Sequence, residues 1–224
     1  MSTALSVGAY TKWAVAPTGS STYTRFPKTT CNLAKHATLA IPEMTTGTRA
    51  RPQELNRESP YTISGDIGFN ATPALLAYFL PLISGDTGSP WINTDPAGGL
   101  GPTFKVAMNK QGQMHSWSGL VVDRAVFSFA KGELCSVMLS IEGIDEQIGG
   151  SADLTSSALN ALSVSLSPPY IFHDAALTVG GTSYAFTNCT VVIDNHTEKN
   201  QFFGGSRTRA SLPWMDLSDR KSVV

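Results

Sequence analysis

Between Tyr61 and Gly85 the sequence YTISGDIGFNATPALLAYFLPLISG changes its apolar period from two to helical spacing, and each part carries its own punctuation. In the first part Tyr61, Ile63, Ile67 and Phe69 fall on one side, and Thr62, Ser64, Asp66 and Asn70 on the other. That alternation predicts a half-buried strand with an acid on its polar face. In the second part Thr72 offers a hydroxyl cap and Pro73 suits the first helical position, while Leu75, Leu76, Phe79, Leu82 and Ile83 recur at helical spacing. A short helix over about 73–83 is predicted, with Pro81 and Gly85 ending it.

Strand-like runs dominate the rest. Thr103–Lys110, Gln113–Ala130, Leu134–Asp145 and Ala175–Asn195 are rich in β-branched and aromatic residues. Turn signals at Lys110–Gln113, Lys131–Gly132 and Gly180–Gly181 predict three hairpins, so neighbouring strands are expected to pair in sequence order. The run from Leu134 sets Cys135, Val137, Leu139 and Ile141 against Ser136, Ser140 and Glu142, with Met138 among the latter. Near the end Val191 and Ile193 alternate with Thr190, Val192, Asp194 and His196. Three strands thus each set an acid opposite an apolar row, as the solvent faces of a two-layer sandwich would.

Two stretches resist secondary structure in this reading. Residues 33–60 carry Pro42, Gly47, Pro52 and Pro60 among mixed charges, which is long for an idle connection. Gly85–Pro102 is a Gly/Pro-rich loop with a lone Trp91, and residues 148–169 offer only a short helix at about 152–162. No linker divides the chain, so a single mainly β domain over 1–224 is expected.

Composition narrows the function. Charged residues are only 15% of the chain and the net charge is −1, which argues against a dedicated nucleic-acid binder. The charge is unevenly spread: residues 1–60 hold seven Lys or Arg against three acids, residues 61–170 hold four against nine, and residues 199–224 are basic again. Basic ends around an acidic middle suit head-to-tail self-association, although solvated surface charge accounts for them equally well.

Cys31, Cys135 and Cys189 are odd in number and widely spaced, as reduced thiols are, with neither a disulfide framework nor zinc-ligand spacing. The N-terminus lacks the pattern of a signal peptide, and no apolar run approaches the ~18 residues of a membrane span. Three N-x-S/T sequons, at Asn70, Asn188 and Asn195, would matter only in a secreted protein.

Catalytic signatures are missing from the sequence. His36, His115, His173 and His196 form no HExxH or other ligand spacing, and His173–Asp174 have no GxSxG nucleophile elbow to serve. The glycines at 98–101 and 204–205 lack a phosphate-loop ending. No enzyme activity, cofactor or metal is expected.

The order of these segments resembles the tail tube proteins of long-tailed bacteriophages: a long loop, then SGDIGFNATPALLAYFLPLISG, the pair GLVVDRAVFSFAKGELCSVMLSIEG, PYIFHDAALTVGG, and TVVIDN before a polar tail. The resemblance implies an antiparallel β-sandwich or barrel with a flanking helix and a long extended loop. It also implies hexameric rings that stack into a hollow tube in the virion tail, assembled in the bacterial cytoplasm, through which double-stranded DNA passes without specific binding. Partners would be other copies of the chain and tail components such as tape measure and tail terminator proteins, with no membrane insertion.

On this basis Asp66, Glu142 and Asp194 are candidates to face the lumen, where acids repel phosphate. Glu43, Arg49, Arg51, Glu54, Arg57 and Glu58 are candidates for contacts between rings, and residues 199–224 for a polar C-terminal arm. The alternative is a secreted or surface β-sandwich binding module, favoured by the sequons and Trp91.

Overall fold

The computed structural model describes residues 11–37, 39–40, 57–85, 101–110, 112–199, 202–204 and 206–213. In chain order the elements are β1 (Trp13–Pro17), β2 (Thr30–Cys31), β3 (Ala34–His36), β4 (Leu39–Ala40), β5 (Arg57–Glu58), β6 (Thr62–Asn70), α1 (Pro73–Ser84), β7 (Phe104–Lys110), β8 (Gln113–Ala130), β9 (Ser136–Gly143), β10 (Asp145–Ile148), α2 (Ser156–Ala161), β11 (Leu177–Val179), β12 (Thr182–Tyr184) and β13 (Asn188–Asp194). The architecture is mainly antiparallel β.

β8 is the spine. Its first half pairs with β7 on one side and β10 on the other; its second half pairs with β13 and β9. β9 and β10 run along the same side of β8, Val121 opposite Glu142 and Ser118 opposite Asp145. The pleat breaks at Gly119, whose φ is 62° and where a Cβ would lie 2.7 Å from the Ile144 side chain. Only glycine fits both demands. Beyond β9 the sheet continues through β6 to β2 and β3, and beyond β7 to β1. The hairpins β7–β8, β8–β9 and β11–β12 form as the turn residues predict, but β1–β7, β6–β9 and β8–β13 join segments far apart in sequence.

The core lies between the two halves of this sheet and α1. Phe79 of α1 is fully buried, stacking on Phe69 of β6 at 5.2 Å between ring centres and meeting Phe104 of β7 edge-on at 5.9 Å. Leu75, Leu82 and Ile83 fill the rest of that helix face. The helix begins where the sequence predicts, with the Leu75 N–H donating to Thr72 Oγ1 at 3.2 Å, and ends on Gly85 in the left-handed conformation. Pro81 does not stop it. The proline lies inside the last turn, its carbonyl accepting the Gly85 N–H at 2.9 Å.

β1 carries no alternation because both of its faces are covered. Trp13 and Val15 enter the main core, while Ala14 and Ala16 join Tyr23, Ala107, Met114 and Leu159 of α2 in a second cluster. The sequence stretch 33–60 also holds more structure than its composition suggests. Residues 30–36 run along β6, and Leu39 and Ala40 of β4 pair with Glu58 and Arg57 of β5. That ladder brings the two ends of segment 41–56 together.

After β13 the chain turns at Asn195, which is fully buried. Its Nδ2 donates to the carbonyls of Ile83 at 3.0 Å and Val122 at 2.9 Å, tying the end of α1 to β8. The Asn195 sequon is therefore closed to glycosylation in the folded chain. Asn195→Ala strands two buried carbonyls and is expected to cost about 2–3 kcal/mol in urea unfolding.

Candidate functional site

One face of the β13–β8–β9–β6 sheet buries the core; the other is polar. Register places the polar residues in rows. Asp66 of β6 lies opposite Ser140 of β9, Ser140 opposite Arg124 of β8, and Arg124 opposite Asp194 of β13. The next row in one direction is Ser64, Glu142 and Val121, and in the other Gly68, Met138, Val126 and Val192. Directly paired residues share a face of the sheet, so the three acids singled out in the sequence lie on one surface.

Their environments differ. Asp66 is half-buried, and its Oδ1 accepts from Ser140 Oγ at 2.9 Å. Asp194 is half-buried at the end of β13, with Oδ1 accepting the His196 N–H at 3.1 Å. Glu142 is not open on this face. Its residue exposure is 9%, and its two oxygens are held by Arg209 at 2.8 Å and Lys199 at 3.1 Å.

The Glu142 pair belongs to a larger network that the sequence reading missed. A β-bulge between Val122 and Arg124 turns Asp123 onto the polar side, where Oδ2 meets Lys199 at 2.8 Å and Oδ1 accepts the Thr197 N–H at 2.9 Å. Lys199 thus bridges Asp123 and Glu142, while Arg209 lies almost wholly buried beside Glu142. Burial opposes the Lys199 charge, but the hydrogen bond to Asp123 and its charge, with those of Glu142, raise the ammonium pKa above its ordinary value. The stabilisation this represents is full below the usual lysine value of ~10.4 and fades as pH rises through the folded pKa, so the network holds at neutral pH.

The C-terminal segment is therefore strapped to its own subunit, at least through Pro213. The Tyr61 N–H donates to the Arg207 carbonyl at 3.0 Å and the Glu198 N–H to the Pro213 carbonyl at 2.9 Å. Part of the charge asymmetry along the chain is consequently satisfied internally, basic tail against acidic middle. A signal for the bulge exists in the sequence: two adjacent polar residues, Asp123 and Arg124, stand between Val122 and Ala125, where alternation would allow one.

Of the candidate inter-ring residues, Glu43, Arg49, Arg51 and Glu54 lie outside the described residues, and so does the side chain of Glu58. Arg57 is exposed in β5. Among the described residues no group of three or more His, Cys, Asp or Glu is arranged to hold a metal ion, and no helix is long and apolar enough to cross a membrane.

The family model for the phage tail tube protein matches residues 2–217, nearly the whole chain. The chain belongs to the phage tail tube protein family. As a member it is a structural component of the phage tail, a subunit that self-assembles into a tube. Among solved structures the SPP1 tail tube, determined by solid-state NMR and cryo-EM, is similar at 11% identity and a TM-score of 0.46, covering 70% of this chain and 86% of that one. A type six secretion system protein is similar at 11% identity and a TM-score of 0.33, covering 61% of this chain and 82% of that one. No curated protein sequence matches the chain.

Proposed function

We propose that this tail tube protein forms six-fold rings stacked into a hollow tube, with the polar sheet face as the channel wall. The observation that carries this reading is the division of one sheet into a core-bearing side and a polar side whose row Asp66, Ser140, Arg124 and Asp194 is accessible across four strands. On such a wall Asp66 and Asp194 supply the carboxylates that keep DNA phosphates from settling, while Glu142 serves the subunit itself. Double-stranded DNA passes along the channel without specific binding. Segment 41–56, held at its base by the β4–β5 ladder, reaches the neighbouring ring with Glu43, Arg49, Arg51 and Glu54, and Arg57 and Glu58 stand at its root. Assembly takes place in the host cytoplasm, with tape measure and terminator proteins setting the ends.

Negative-stain electron microscopy of the purified protein tests the central claim. Stacked rings with a continuous channel are expected; a strictly monomeric protein at high concentration refutes it. Replacing residues 41–56 with a short Gly-Ser linker is expected to leave the fold and rings intact and to prevent stacking. Asp66→Lys with Asp194→Lys is expected to preserve tubes and slow DNA ejection from virions that carry the variant; unchanged ejection removes these two acids from the wall.

A further inference from the structure

The chain carries no acid before Glu43, yet Lys12, Arg25, Lys28 and Lys35 all fall in that stretch. Residues 154–172 hold no charged side chain at all. The fold sets these two stretches against each other. Arg25 bridges to Val164, the Ser165 N–H donates to the Arg25 carbonyl at 2.9 Å, and Trp13 Nε1–H donates to the Phe26 carbonyl at 2.6 Å. Between the two walls lies a hollow of about 470 Å³, with Lys12, Arg25, Lys28 and Thr29 in its lining and no carboxylate.

The three cations are half-buried, and what they touch is neutral. Lys12 Nζ donates to Asn160 Oδ1 at 2.7 Å and Arg25 Nη1 to the Leu162 carbonyl at 3.4 Å, both at the end of α2. These contacts fix the side chains in place. They use one N–H of the three on the lysine and one of the five on the guanidinium. Among the described residues Lys28 makes no hydrogen bond, and none of the three has an ion-pair partner. Like charges facing one hollow repel, and an anion between them removes that cost.

The hollow does not stop at Lys28. Lys28 and Thr29 also line an adjoining one of about 190 Å³, together with Asn70, Thr72 and Ser167. Thr72 caps α1, a helix of 12 residues whose first turn contains no acid, so its positive pole lies at this end without a neutralising side chain of its own. The hydroxyls and the amide beside it add donors for an oxygen.

We infer that the groove running from Lys12 to Thr72 binds a polyphosphate anion, a chain of two or three phosphate groups either free or carried by a nucleotide. A single carboxylate cannot meet three separated cations and a helix pole beyond them, whereas a phosphate chain presents an oxygen to each. Arg25 offers the planar fork that suits a pair of phosphate oxygens, and Lys12 and Lys28 are point charges on flexible stems. An occupant ties residues 25–29 to residues 160–169 across the groove. One chain supplies every residue of the site, and none of them belongs to the acid-bearing row of the sheet, so the site is independent of the ring reading.

Isothermal titration calorimetry of the full chain with sodium tripolyphosphate tests the site. One anion per chain is expected, with the melting temperature raised by about 5–10 °C at a hundred-fold excess over Kd. Lys28→Ala and Lys12→Ala are each expected to weaken binding about ten-fold or more, and to melt within about 2 °C of the wild type when no anion is present. Lys131→Ala, exposed between β8 and β9, is expected to leave the affinity unchanged. ATP in place of tripolyphosphate separates the two sources: equal or weaker binding marks the free phosphate chain, tighter binding a nucleotide, and both support the site. Absence of saturable heat at millimolar tripolyphosphate, unchanged affinity in Lys28→Ala and Lys12→Ala, or an equal loss in Lys131→Ala overturns it. Duplex DNA that binds through these lysines where tripolyphosphate does not overturns it as well.

Discussion

Glu142→Ala is expected to lower the unfolding free energy by about 3–5 kcal/mol, the range seen when one partner of a buried ion pair is removed. The reason is what remains. Arg209 is 5% exposed and finds its charge partner in Glu142 at 2.8 Å, so truncation leaves a nearly buried guanidinium with no ion-pair partner among the described residues. Lys199 keeps Asp123 and is itself partly solvated, so it adds little to the loss. Urea unfolding at neutral pH measures the effect. An acid standing open in a channel would give a change within about 0.5 kcal/mol, the usual value for a surface site. The experiment therefore separates a residue that anchors the C-terminal strap from one that meets DNA. Asp66→Ala, with only a hydroxyl donor to lose from its carboxylate, is the comparison.

Phe79→Ala is expected to cost about 3–5 kcal/mol, as deletion of a fully buried aromatic does when its surroundings relax only partly. Phe79 is where the helix, β6 and β7 meet: its ring touches Phe69 and Phe104 from the two halves of the sheet, and Tyr78 on its own helix. Losing it opens a cavity between the helix and both halves of the sheet. Thermal melting of the variant should show the loss, and Ala77→Ser, on the exposed side of the same helix, should shift the melt little. Equal effects at the two positions would mean that α1 does not bind the two halves through this face.

The strand and helix of residues 61–85 were legible because their patterns are local. Alternation gave β6 its two faces, and Thr72, Pro73 and Gly85 mark the helix ends through hydrogen-bonding needs confined to one turn. Pro81 does not act as the predicted stop, because a proline in the final turn loses one hydrogen bond without ending the helix. β1 has no periodic signature in the sequence because burial on both faces erases the alternation that marks a strand. The short strands at residues 30–40 and 57–58 escaped too, being set by their partners in β6 and by each other.

Among the acids, alternation determined the faces of Asp66, Glu142 and Asp194, and the family resemblance, carried by the order of segments along the chain, determined what kind of protein this is. The strand content, the main hairpins and the capped helix were likewise fixed locally, by side-chain period and turn chemistry. Only the tertiary structure decided which acids stay open. Glu142 and Asp123 are held by Lys199 and Arg209, which lie more than fifty residues further on, and a single bulge turns Asp123 toward them. Pairings of that kind depend on where the sheet and the C-terminal segment come together, and neither a period nor a spacing along the chain encodes that distance.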